Sequence, residues 1–299
     1  MPAPTCTRSE VDQLISQSGF PFEIEVANVL QKAGFEVRLS EQYFNSRRER
    51  AGEIDLVARR TFVDDTSHAG TINRVLELVI ECKDNSLPYV LFGFSAPGAP
   101  PPGLVDGDYS YNRVRTLQDA CVNQLSFVAF GDERIVGAKT IKDEHHQFAH
   151  PFRYHQASSV EMQNGKPKLN ISDRLRDSLH GLASYIHYVQ EIIVDTKKRH
   201  LLDGMPFDPT VWISFLLLIH RGDHYRHSGD NSTCLALHST LHTSLHEGDI
   251  SVPYAVDFIK FSSLLETLVE IEKTFQLVSR QVARYLEPSP KPRSTSYRR

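Results

Sequence analysis

Residues 75–83 read Val-Leu-Glu-Leu-Val-Ile-Glu-Cys-Lys, and because side chains alternate faces along a strand, Leu76, Leu78, Ile80 and Cys82 form an unbroken apolar face. Glu81 and Lys83 share the opposite face. The same period in Glu53-Ile54-Asp55-Leu56-Val57-Ala58 places Ile54, Leu56 and Ala58 in the core and turns Asp55 the other way. If the two strands pair, Asp55 arrives beside Glu81, and residues 61–74 make an extended hairpin tip or loop. Upstream, residues 19–34 carry Val26, Ala27, Val29, Leu30 and Ala33 at helical spacing, with Pro21 suited to the first turn and Gly34 to the end. Glu23 extends this apolar stripe, whereas Glu25 groups with Asn28 and Lys32.

Further along, Leu175, Leu179, Leu182, Ile186, Val189 and Ile193 predict an amphipathic helix over 172–193, which Ser172 can cap. The apolar run at 211–219 predicts a buried strand. Phe261, Leu264, Leu268, Ile271, Phe275, Val278, Val282 and Tyr285 form a heptad-like seam, which predicts a long helix over about 258–286. It lies on its own domain in the simpler reading; a homodimer through this helix is the alternative.

These elements predict an α/β fold, a mixed central sheet flanked by helices, with a long insertion and a long C-terminal helix. The Pro- and Gly-rich stretch at 95–108 marks a boundary. The expected organisation is a first part of the core at 1–95, an insertion without an assignable role at 96–171, and completion of the core plus the long helix at 172–286. A basic, Pro- and Ser-rich tail at 287–299 is expected to be disordered.

The 299 residues are 40% hydrophobic, ample for a core, and the net charge of −4 provides no global positive field. Any attraction to nucleic acid must be local, and Arg47, Arg48, Arg50, Arg59 and Arg60 flank the Asp55 strand; a solvated strand end is the plainer account of them. Four scattered cysteines without a Cys-x-x-Cys pair argue against a zinc ribbon or a dense disulfide framework and suit a reducing cytoplasm. No signal-like apolar region opens the sequence, and no apolar run approaches the roughly 20 residues that span a bilayer. His238, His242 and His246, at spacings of four, would share one face of a helix near His220, His224 and His227, a weak zinc signal. No Walker loop, nucleotide-binding glycine motif or Gly-x-Ser-x-Gly elbow is present.

The residues at 52–58 and 81–83 have the layout of a metal-dependent phosphodiesterase site. Asp55 and Glu81 can hold a divalent cation, and Lys83 can orient and help deprotonate an attacking water. A solvated Glu/Lys strand edge is the alternative, and Glu23 weighs against it, because a carboxylate at the edge of a buried stripe needs a partner. Phe22-Glu23 on a helix, Gly34-Phe35-Glu36-Val37, Glu53-Ile54-Asp55 and Glu81-Cys82-Lys83 in that order resemble the PD-(D/E)xK nuclease superfamily, with Ile-Asp in place of Pro-Asp. The resemblance covers about the first 95 residues. It implies a restriction-endonuclease-like core and Mg²⁺- or Mn²⁺-dependent cleavage of DNA, less often RNA. It also implies Asp55, Glu81 and the main-chain carbonyl of Cys82 as metal ligands, Lys83 as the catalytic lysine and Glu23 as the supporting acid. Two other classes stay open: a module on the same fold that binds nucleic acid without cutting, and a defence or stress component regulated by a partner.

Overall fold

The computed structural model describes residues 7–45, 50–66, 70–95, 127–131, 134–136, 152–170, 173–202, 210–228, 232–247 and 250–284. In chain order these form α1 (Arg8–Gln17), α2 (Phe20–Lys32), β1 (Glu36–Asn45), β2 (Arg50–Thr66), β3 (Gly70–Lys83), β4 (Tyr89–Ser95), β5 (Phe127–Gly131), β6 (Arg134–Val136), β7 (Phe152–Gln163) and β8 (Lys166–Asn170). There follow α3 (Asp173–Leu202), β9 (Thr210–His220), β10 (His224–Ser228), β11 (Thr233–Ala236), β12 (His238–Glu247), β13 (Ile250–Lys260), a 3-10 turn (Phe261–Ser263) and α4 (Leu264–Arg284).

Helix α1, which the sequence reading passed over, opens on a Thr7/Glu10 capping box. Helix α2 carries Pro21 in its first turn, as expected, and ends on Gly34 with φ of 86°. There the N–H of Gly34 bonds the Gln31 carbonyl and the N–H of Phe35 bonds the Leu30 carbonyl, satisfying two carbonyls the helix end would otherwise leave open.

One mixed sheet joins the described strands in the order β1-β2-β3-β9-β13-β12-β7-β4-β10-β11. β1, β2 and β3 are antiparallel neighbours, and β9 lies parallel to β3, with β13 parallel to β9. Helices cover both faces. On one, α2 (Phe22, Val26, Leu30) and α4 (Leu264, Leu268, Ile271, Phe275) cover Leu76, Leu78, Ile80 and the odd positions of β9 from Ile213 to Ile219. On the other, α3 (Leu182, Ile186, Val189) covers Val57, Val79, Leu216 and Leu218. β9 is apolar on both sides because both sides are covered, which explains its apolar run, interrupted only by Ser214.

Strands from the stretch expected as an insertion enter this same sheet. β5 pairs with β9, and β7 pairs with β4 and β12. β11 runs through Leu237 directly into β12, so the far end of the strand path returns to its own middle. The β7–β8 hairpin turns on Asn164 and Gly165, both with positive φ, the geometry an Asn-Gly pair supplies at least strain.

Several sequence expectations are corrected. Ile54 does not share a face with Leu56 and Ala58; it packs with Tyr43 and Val57 under α3. The period of two breaks at Asp55, where the β2–β3 ladder ends at Leu56 opposite Ile80 and Ser40 of the neighbouring strand has φ of 51°. Residues 258–260 belong to β13, with Phe258 and Ile259 on opposite faces, and the long helix starts only after the 3-10 turn. His238, His242 and His246 stand on strand β12, not on a helix. At about 3.3 Å per residue, positions four apart are roughly 13 Å apart, too far to share one ion. Ser172, Tyr285 and the tail at 287–299 lie outside the described residues.

Candidate active site

Where β2 and β3 part, their carboxylates meet. The ladder between them ends at Leu56 and Ile80, while β3 continues beside β9 as far as Lys83 opposite His220. The N–H of Cys82 donates instead to Oδ2 of Asp55 at 2.7 Å, so a side chain does what the next rung would have done. Glu81, two residues before Lys83 and on the same face, is buried, and its Oε2 accepts from Lys83 Nζ at 3.0 Å. The Cys82 thiol points to the other face, into the apolar layer under α2 and α4.

The electrostatics bind these groups to one another and to Glu23. Burial pushes the Glu23 carboxyl up to about 7, and the charges of Asp55, Glu53 and Glu81 add to the rise, with Lys83 opposing it. Burial also raises Asp55, against the pull of the Cys82 N–H and Lys83. Glu81 is raised by burial and by Asp55, against Lys83 and a hydrogen bond from Ser178. For Lys83 burial works against the charged form, but Glu81 and Asp55 outweigh it and hold the ammonium above its ordinary range. With the two acids unligated Lys83 is therefore a cation, suited to orienting water and offsetting negative charge. The Cys82 thiol is pushed far up by burial and by the three acids, which leaves it inert.

A cavity of about 320 Å³ opens over Asp55 and Glu81. Glu53 and Tyr43 form one side, and Asp177, Ser178, His180, Gly181 and Ser184 of α3 form the other. Gly52 is required there: a Cβ would sit 2.3 Å from Cζ of Tyr43, whose ring crosses the glycine and whose hydroxyl donates to the Gly181 carbonyl at 3.4 Å. Sequence reasoning missed the α3 wall. A signal existed, since Ser178, Gly181 and Ser184 recur at intervals of three beside the Leu and Ile stripe.

No family model, curated protein or solved structure matches the chain. The site must be read from its own geometry.

Among the described residues, no three His, Cys, Asp or Glu side chains stand together as a metal-holding group. The expected set has two carboxylates, Asp55 and Glu81, plus the Cys82 carbonyl. Such a set fits a small hard cation, because Mg²⁺ is commonly held by one or two carboxylates and keeps several waters. The acids that raise one another's affinity for protons mark a place where positive charge is welcome.

The arginines do not form one patch. Arg47, Arg48 and the side chain of Arg50 lie outside the described residues. Arg59 pairs with Glu77 at 2.8 Å on the α3 face, and Arg60 pairs with Glu272 of α4 at 3.0 Å on the other face. Both are committed within the fold. His220 and His224 are buried as a pair, Nε2 to Nδ1 at 3.1 Å, with Ser239 3.0 Å from the second ring. No helix among the described residues is long and apolar enough to cross a membrane.

Proposed function

We propose that this chain is a metal-dependent nuclease that hydrolyses phosphodiester bonds, with DNA as its foremost substrate. The observation that carries the reading is the meeting of Asp55, Glu81 and Lys83 at the opening of the β2–β3 ladder, with Asp55 and Glu81 lining a cavity and Glu23 within electrostatic reach. The run α2-β1-β2-β3, followed after β4–β8 by α3 and β9 with β9 parallel to β3, supports it, being an arrangement compatible with the restriction-endonuclease-like core that the motif resemblance implies.

Asp55 and Glu81, with the Cys82 carbonyl, would hold Mg²⁺ or Mn²⁺, which when bound polarises the scissile phosphate and acidifies a coordinated water. The chain's own residues do the rest. The Cys82 N–H holds Asp55 in one orientation, Lys83 places a positive charge where negative charge grows on the phosphoryl oxygens, and Glu23 adds a further carboxyl to the negative potential around them. Free Cys82 and Cys234 are in keeping with a cytoplasmic location.

Plasmid, single-stranded DNA and RNA incubated with Mg²⁺ or Mn²⁺ test the reading. Asp55→Asn and Lys83→Ala are each expected to lower the cleavage rate by roughly 10²-fold or more, with an unchanged circular dichroism spectrum. Retained cleavage in both variants rejects the assignment, and a wild-type chain that shifts DNA but never nicks it selects the binding-module reading.

A further inference from the structure

Ser178 and Gly181 stand one turn apart on α3, line the cavity, and both lie against Glu81. Ser178 is buried and hydrogen-bonds the Glu81 carboxylate. Gly181 faces the same acid: a Cβ there would lie 3.9 Å from Glu81 Oε1, 3.8 Å from Ile54 Cδ1 and 4.0 Å from the Tyr43 hydroxyl, ordinary contact distances that put this face of α3 directly over Glu81. Tyr43 ties this turn of the helix to β1 through its bond to the Gly181 carbonyl.

Glu81 is thus gripped from two sides. Lys83 reaches it from its own strand, through a flexible four-carbon stem that fixes an acid loosely. Ser178 reaches it from a helix whose Leu175, Leu182 and Ile186 are anchored in the core, so its hydroxyl is the better-fixed partner. We infer that Ser178 is a positioning residue of the candidate site, setting the orientation of Glu81 from α3 so that the acid faces the cavity. The catalytic consequence rests on the nuclease reading; the geometric part stands without it. Groups that orient a metal-binding side chain typically contribute 10- to 100-fold in metal affinity or activity.

The test uses the full chain with Ser178→Ala and Ser178→Thr, read by crystal structures of wild type and Ser178→Ala, by Mn²⁺ uptake in calorimetry, and by steady-state cleavage. Loss of the hydroxyl should turn the Glu81 carboxylate away from its wild-type position, weaken Mn²⁺ binding about 10-fold or more, and lower kcat about 10- to 100-fold with little change in KM for nucleic acid. Threonine, which keeps a hydroxyl, should restore most of each loss. Glu81 unmoved in Ser178→Ala, or kcat and Mn²⁺ affinity equal to wild type, overturns the inference. If the wild-type chain neither cuts nor binds Mn²⁺, the nuclease reading falls, and the Glu81 orientation alone decides: displaced upholds the positioning role, unmoved ends it.

Discussion

Arg59 and Arg60 are neighbours in the chain, and the two-residue period of a strand sends them to opposite faces. Arg59 meets Glu77, which is 0% exposed and also accepts the Ser214 hydroxyl at 2.7 Å; the guanidinium lies 5.0 Å over the ring of Trp212. Removing one partner of such a pair strands a buried charge. Arg59→Ala is therefore expected to lower stability by about 3 kcal/mol, measured by urea unfolding; a variant of wild-type stability with weakened nucleic-acid binding would return Arg59 to a substrate role. Basic residues near a proposed site look alike in sequence whether they serve phosphate or a buried acid. Glu81 and Lys83 were easier to read, because a period of two decides which side chains share a face whatever lies beyond the strand; Asp55 stands where that period breaks. Ser178 and Gly52 were not, since their partners, Glu81 and Tyr43, come from other elements.

At the scale of elements, α4 shows how one pattern serves two readings. Its seam of Leu264, Leu268, Ile271 and Phe275 is buried against the chain's own sheet, while Leu265 (59% exposed) and Val269 (53% exposed) face outward. As far as Phe275 the side offered to a second copy is already occupied. Ile271→Ala should cost about 2–5 kcal/mol through the cavity left behind, with the same loss at every protein concentration. A loss that shrinks as concentration rises would mark the seam as a dimer interface. The heptad spacing was legible in the sequence because helix geometry repeats locally; what covers the seam was not, because β9 and β3 occupy the same apolar contacts a partner helix would.

Across the whole molecule, His220 at the end of β9 and His224 at the start of β10 tie the main sheet to its second half. Burial chiefly lowers His220 to about 4, and Lys260 adds to this, while Asp223 and a backbone bond at Gly222 oppose it. Burial, then His220 and Arg226, lower His224 to about 2. Tyr89 of β4 packs edge-on against His220 at 5.2 Å, and Arg226 bonds Ser239 at 2.8 Å and the His238 carbonyl. Both histidines are neutral when folded and take a proton near 6.5 when unfolded, so the unfolded chain binds more protons below that pH. Their contribution to stability is then full above about pH 6.5 and falls with decreasing pH, down to about 4 for His220 and about 2 for His224, while Glu23, raised to about 7, acts in the opposite sense. Between pH 6.5 and 5 the loss is on the order of 2 kcal/mol for each histidine. Urea midpoints across this range should show it, and His220→Gln/His224→Gln should flatten the slope; an equal slope in the variant would assign the acid sensitivity elsewhere.

The sequence by itself determined the two strands, with Glu81 and Lys83 on one face of the second, helix α2 with its glycine end, the buried strand β9 and most of α4; that the two strands pair was a condition the structure met. These follow from periodicity and from glycine and proline geometry, which act over a few residues. Only the tertiary structure decided that Ile54 changes faces at Asp55, that α3 supplies the wall over Glu81, that Arg59 and Arg60 serve the fold, and that His238, His242 and His246 lie along a strand. Each of these depends on which distant segment fills the space beside a side chain, and a local pattern carries no record of that neighbour.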